Sequence, residues 1–143
     1  MSDQQSVTPP APVVSPVPTP NGKKILIVEN DAFLLKVYAA KLAALGFDVR
    51  TAENGEEVEP ILQNFVPDLI LLGLVMPKKD GFEVLRDLKA SPQWKDIPVI
   101  VASSLRQPED KDRVMELGAA AYITKGDVSI LEIIEQVRKY MGV

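Results

Sequence analysis

The chain has 143 residues, 46% apolar and 25% charged, with a net charge of −4; this suits one domain with its own core and gives no basic patch for binding nucleic acid. It contains no cysteine and no histidine, which excludes disulfides, thiol chemistry, zinc-thiolate sites, a Ser-His-Asp triad and a histidine phosphocarrier role. No apolar run approaches the ~20 residues of a membrane span, and the N-terminus lacks a basic stretch followed by an apolar one, so a cytoplasmic protein without membrane contact is expected.

Residues 1–22 hold six of the twelve prolines, with Asp3 the only charged side chain among them. Proline fixes φ and removes a donor, so a disordered tail of polyproline II character is expected, reaching at most about 70 Å at ~3.1 Å per residue. Pro9 and Pro12 match one PxxP spacing of SH3-type ligands, but a linker or solubilising tail is the plainer reading.

From Lys23 onward strands and helices alternate. Lys24–Val28 reads as a strand. Asp31 can cap a first helix whose inward residues are Leu34, Leu35, Tyr38, Leu42 and Leu45, with Gly46 closing it. Phe47–Thr51 is a second strand. Glu56 to about Phe65 is a second helix with Val58, Ile61, Leu62 and Phe65 inward, in which Pro60 must either kink the helix or delay its start. Leu69–Leu72, an apolar run bounded by proline signals, reads as a buried central strand. In an open α/β sheet, ligands gather beyond the carboxyl ends of the strands, so position 73 should be the centre of a site. It is Gly73, which carries no functional group.

Asp80-Gly81 reads as a turn before a third helix, Phe82–Ala90, facing inward with Phe82, Leu85 and Leu88. Trp94 falls in a loop at the edge of the core. Ile97–Ala102 is a fourth strand, with Pro98 at its start where a missing donor is tolerated. Pro108–Leu117 is a fourth helix closed by Gly118, and Ala120–Thr124 a fifth strand. Ser129–Met141 is a fifth helix with Ile130, Ile133, Ile134, Val137 and either Tyr140 or Met141 inward. Five strands alternating with five helices over residues 23–143 imply a doubly wound parallel sheet, for which the flavodoxin-like order 2-1-3-4-5 fits best.

Four blocks carry a resemblance across this whole region. They are Ile25-Leu26-Ile27-Val28-Glu29-Asn30-Asp31; Pro67 to Leu72 continued by Met76-Pro77-Lys78-Lys79-Asp80-Gly81-Phe82; Ile97-Pro98-Val99-Ile100 with Ser103; and Gly118 to Lys125. In order and at this spacing they resemble the receiver domain of two-component response regulators, the CheY-like fold. The resemblance implies an Asp after strand 3 that accepts a phosphoryl group from a histidine kinase. It also implies two acids after strand 1 that help hold Mg²⁺, and a hydroxyl and a lysine that contact the phosphoryl group. Mg²⁺ and the lysine would offset charge on the transferring oxygens.

Carried over by position, the acceptor is Gly73 and the second acid is Asn30. Glu29 keeps the first acid, Ser103 the hydroxyl, Lys125 the lysine and Tyr122 the aromatic switch; Val75 would offer a backbone carbonyl towards the metal. Gly126 stands where a proline commonly follows the lysine, which puts a cis peptide there in doubt. Glu29 is expected to pair with Lys125 before it holds metal, and Asn30 to cap or donate a hydrogen bond. Asp31 is expected to be a helix cap, with Asp68 at the wrong end of its strand. Tyr122 is expected to pack structurally. Mg²⁺ should bind weakly or not at all.

The expected function is therefore a receiver-like module of two-component or phosphorelay signalling that is not phosphorylated and is not an enzyme. With no DNA-binding or catalytic domain after Val143, it would act by contact with a protein partner, such as a histidine kinase or another signalling protein. The docking face would be helix 4, strand 5 and helix 5. The alternatives are a phosphate-accepting receiver with a substitute site, and a sensor that binds a small anion or ligand at Ser103 and Lys125.

Overall fold

The computed structural model describes residues 19–143. In chain order the elements are β1 (Lys24–Val28), α1 (Ala32–Ala44), β2 (Asp48–Ala52), a 3-10 turn (Gly55–Glu57), α2 (Val58–Leu62), β3 (Leu69–Leu72), α3 (Gly81–Ala90), β4 (Val99–Ser103), α4 (Pro108–Glu116), β5 (Ala121–Thr124) and α5 (Ile130–Met141). The sheet is parallel throughout, in the order β2-β1-β3-β4-β5. This is the doubly wound, flavodoxin-like architecture that the alternation implied.

The pleat sorts the core into two layers, because successive strand residues face opposite sides. Leu26, Val28, Ile70, Leu72, Val99 and Val101 pack under α2, α3 and α4. Ile25, Ile27, Leu69, Leu71, Ile100 and Ala102 pack under α1 and α5. The central strands are buried on both faces, so their sequences are continuous apolar runs without alternation. Most of the favourable free energy of folding comes from this burial, at roughly 25 cal/mol per Å² of apolar surface.

Several local expectations need correction. The second helix does not begin at Glu56: the 3-10 turn comes first, and α2 starts at Val58. Pro60 thereby falls in the first turn, where its missing N–H has no partner to lose. Phe65 is buried although it lies beyond the helix. The fourth strand begins at Val99 and runs to Ser103; Pro98 contributes only its carbonyl, which accepts from the Ile70 N–H at 3.0 Å.

Asp80 is not turn chemistry but the N-cap of α3, accepting from the Glu83 N–H at 2.9 Å. Leu45 is exposed because it is the C-cap of α1, past the last residue to which the helical period applies. Of the pair at the end of α5, Met141 is buried and Tyr140 exposed. Trp94 is buried in the α2–α3–α4 layer, where it lines a small depression with Glu59, Lys79 and Asp87.

Of residues 1–22, Thr19 to Gly22 are described; the rest of the expected tail and its PxxP spacing lie outside the described residues. Asn21 is tied to the end of α1. Its backbone N–H donates to Gly46 O at 3.0 Å, its side-chain amide donates to Leu45 O at 3.2 Å, and its side-chain oxygen accepts from the Lys23 N–H at 2.8 Å. The carbonyls of Leu45, the C-cap of α1, and of Gly46 just past it are satisfied in this way.

Candidate functional site

A cavity of about 430 Å³ opens beyond the carboxyl ends of β1, β3, β4 and β5. Strand register builds it. Val28 pairs with Leu72, so Glu29 and Gly73, the next residues, lie side by side. Ser103 pairs with Thr124, so Ser103 and Lys125 are neighbours, and the Lys125 N–H donates to Ser103 O at 2.7 Å. Glu29, Asn30, Gly73, Ser103 and Lys125 all line this one space.

The Glu29 carboxylate is buried and fully engaged. Oε1 accepts from Lys125 Nζ at 2.7 Å, across 96 residues of chain, and Oε2 accepts from the Asp31 N–H at 2.9 Å. The carboxylate's side chain is 8% exposed and the lysine's 20%, so the pair is mostly dry. Asn30 is exposed at the mouth. Asp31 caps α1, accepting from the Phe33 and Leu34 N–H groups at 3.0 and 3.1 Å. Asp68 lies at the other end of the sheet, where it accepts from the Lys24 N–H at 2.8 Å.

Gly73 is buried, and its N–H donates to Val28 O at 2.8 Å. A Cβ placed on it would meet Glu29 Oε1 and Val28 O at 3.4 Å, ordinary van der Waals distances, so a side chain would fit. Gly81 is different. A Cβ there would sit 2.2 Å from Gly73 O, so the start of α3 must be glycine for the two backbones to approach.

Ser103 is buried and accepts from the Leu105 N–H at 3.2 Å. Tyr122 packs against the α2–α3–α4 layer and donates its hydroxyl to Leu105 O at 2.7 Å. Burial pushes its phenol up, with the hydrogen bond to Ser103 acting the other way and the Asp110 charge adding to the rise. Tyr38, on α1, is buried and its hydroxyl has no hydrogen-bond partner among the described residues. Burial, then the charges of Glu29 and Asp31, push its phenol up to about 12. All described peptide bonds are trans, including the one after Lys125.

Sequence reasoning missed part of the lining. Leu34 and Ser104 sit next to residues already singled out, one turn after Asn30 and one residue after Ser103, and adjacency alone could have found them. The Arg106–Asp127 pair, which joins two loops beside the cavity at 2.8 Å, has no local signal. Among the described residues, no group of three or more acids could jointly hold a metal ion, and no helix is long and apolar enough to cross a membrane.

Comparison with known proteins places this geometry. The response regulator receiver domain family matches residues 25–138. The chain is 40% identical over 123 residues to the gliding motility regulatory protein of Myxococcus xanthus, covering 86% of this chain and 16% of that protein. It is 31% identical over 120 residues to the polar-differentiation response regulator DivK of Brucella anthropi, covering 84% of this chain and 97% of that one. It therefore spans well under half of some curated relatives and nearly all of others.

Among solved structures, the phosphorylated cyanobacterial phytochrome response regulator RcpA is 34% identical with a TM-score of 0.71, covering 83% of this chain and 90% of that one. The BeF3-activated receiver domain of Klebsiella pneumoniae RstA is 31% identical with a TM-score of 0.72, covering 80% and 95%. From its cavity, its topology and these matches, the chain belongs to the response regulator receiver domain family of two-component systems.

Proposed function

We propose that this chain is a receiver-type module that signals by protein–protein contact and does not accept a phosphoryl group. One observation carries the reading: the residue at the end of β3, facing the cavity, is Gly73, and the nearest carboxylate already has both oxygens engaged. A phosphoryl group needs a nucleophile here, and no pKa adjustment supplies one to a residue without a side chain. Asp31 and Asp80 are occupied as helix caps, and Asp68 is at the far end of the sheet.

Receiver domains normally bind Mg²⁺ weakly. The donors in this cavity suit it poorly. Mg²⁺ favours several oxygen ligands in near-octahedral order. Glu29 would have to leave Lys125 and the Asp31 amide to serve, and Asn30 brings no charge. No catalytic step follows from this arrangement, so we assign the domain a binding role and not an enzymatic one. Receiver domains interact with histidine kinases and other signalling proteins. For this chain we assign docking to the face of α4, β5 and α5. Exposed Met115 on α4 and exposed Tyr140 on α5 support that choice; the Tyr140 hydroxyl donates to Ala120 O beside β5.

The test is intact mass after incubation with Mg²⁺ and acetyl phosphate. The Asn30→Asp, Gly73→Asp double variant runs alongside, since position 73 has room for a side chain. No adduct on the unaltered protein is the expected result, with an adduct on the double variant showing that Ser103 and Lys125 are still competent. A stable phosphoryl adduct on the unaltered protein overturns the reading, and mapping it identifies the substitute site.

A further inference from the structure

The loop between β4 and α4 is tied down from both of its neighbours. Leu105 is held twice, its N–H donating to Ser103 Oγ at 3.2 Å and its carbonyl accepting from Tyr122 OH at 2.7 Å. The next residue, Arg106, reaches across to the loop after β5 and pairs with Asp127 at 2.8 Å.

Gly126 makes that reach possible. Its φ of +94° is in the left-handed region that L side chains seldom adopt, and a Cβ there would stand 3.2 Å from Arg106 Nη2. The glycine lets the chain turn sharply, with the Asp127 N–H donating to Thr124 O at 3.2 Å, and lets the guanidinium lie on the backbone. The two joined loops supply Ser104 and Gly126 to the cavity wall. α4 begins at Pro108, two residues past Arg106, so the pair also sets where α4 enters the docking face assigned above.

We infer that Arg106 and Asp127, seated over Gly126, form a latch that holds the β4–α4 loop and the start of α4 in one position without any phosphoryl group. The latch is small in energy, because both side chains are more than half exposed. A pair of this kind shifts an opening equilibrium by about two- to fivefold. That is little for the fold and enough for a loop whose open state is already close in free energy.

The experiment is ¹⁵N relaxation dispersion with amide hydrogen exchange on the full chain, without phosphodonor. It compares the unaltered protein with Arg106→Met, Asp127→Asn and the double variant. Exposed positions keep the fold intact, and thermal unfolding of each variant verifies this. In the unaltered protein, dispersion at residues 104–107 should report an open population about two- to fivefold smaller than in either single variant. Each single variant should speed exchange of the Leu105 amide by about two- to fivefold, and the double variant no more than either single. Single variants identical to the unaltered protein overturn the latch, as does a double variant equal to the product of the singles. The result is independent of the mass measurement, so either reading can fail alone.

Discussion

Replacing Lys125 with Met keeps most of the side-chain stem and removes the ammonium from the cavity. At 2.7 Å the gross attraction to Glu29 is about 6 kcal/mol for an effective dielectric constant of ~20. Most of that is offset by the desolvation both groups have already undergone. Breaking a fully buried pair costs about 3–5 kcal/mol, because the remaining charge is stranded. Here the lysine is 20% exposed, the cavity is open to solvent, and Glu29 keeps the Asp31 N–H, so the expected loss is about 2 kcal/mol. In a domain of this size that is roughly 8 °C in Tm. Urea unfolding with unchanged m-value is the assay. Adding Glu29→Gln should recover about 1 kcal/mol, since the stranded charge goes with it. A Lys125→Met variant within about 0.5 kcal/mol of the unaltered protein, or a double variant as unstable as the two single losses summed, would refute the reasoning.

The two glycines that meet beneath the cavity should respond oppositely to alanine. Gly81→Ala forces a Cβ to within 2.2 Å of Gly73 O and should cost at least about 2 kcal/mol, whereas Gly73→Ala meets nothing closer than 3.4 Å and should stay within about 1 kcal/mol, as read from paired denaturant titrations. Tyr38 gives a pH signature. Its folded-state pKa is raised from 10.0 to about 12, so its contribution to stability is complete below pH 10 and is lost as pH rises towards 12. Over that window the unaltered protein should lose about 1.4 kcal/mol per pH unit relative to Tyr38→Phe, and parallel stability curves for the two would count against the assignment. At neutral pH, Tyr38→Phe should be close to neutral, because the buried hydroxyl it removes has no partner among the described residues.

The order of elements was legible because β1, β3 and β4 are apolar runs and two helices carry clear punctuation: Asp31 as the cap of α1 with Gly46 beyond it, and Gly118 after α4. Boundaries failed where backbone hydrogen bonding decides them. Pro98 reads as part of a strand by side chain, yet without an N–H it can only accept, so the ladder starts one residue later. Asp80-Gly81 has turn composition, and only the approach of Gly73 O to Gly81 shows why the glycine is there. The cavity residues were legible because they follow strand ends, which parallel register must bring together. The Arg106–Asp127 pair was not, because two exposed side chains on separate loops leave no periodicity to read.

Asn21 has a consequence for how the domain is held. β1 starts at Lys24, so the chain enters at the amino ends of the strands, while the cavity lies beyond their carboxyl ends. A strand of five residues at ~3.3 Å each separates the two poles by about 17 Å of sheet alone. With Asn21 clamped to the end of α1, the point of departure does not swing. Asn21 therefore fixes where the described chain leaves the fold, at the pole opposite the cavity. A load drawn on the chain at Asn21 falls first on its two hydrogen bonds to Gly46 O and Leu45 O, before it reaches β1 or disturbs the Glu29–Lys125 pair.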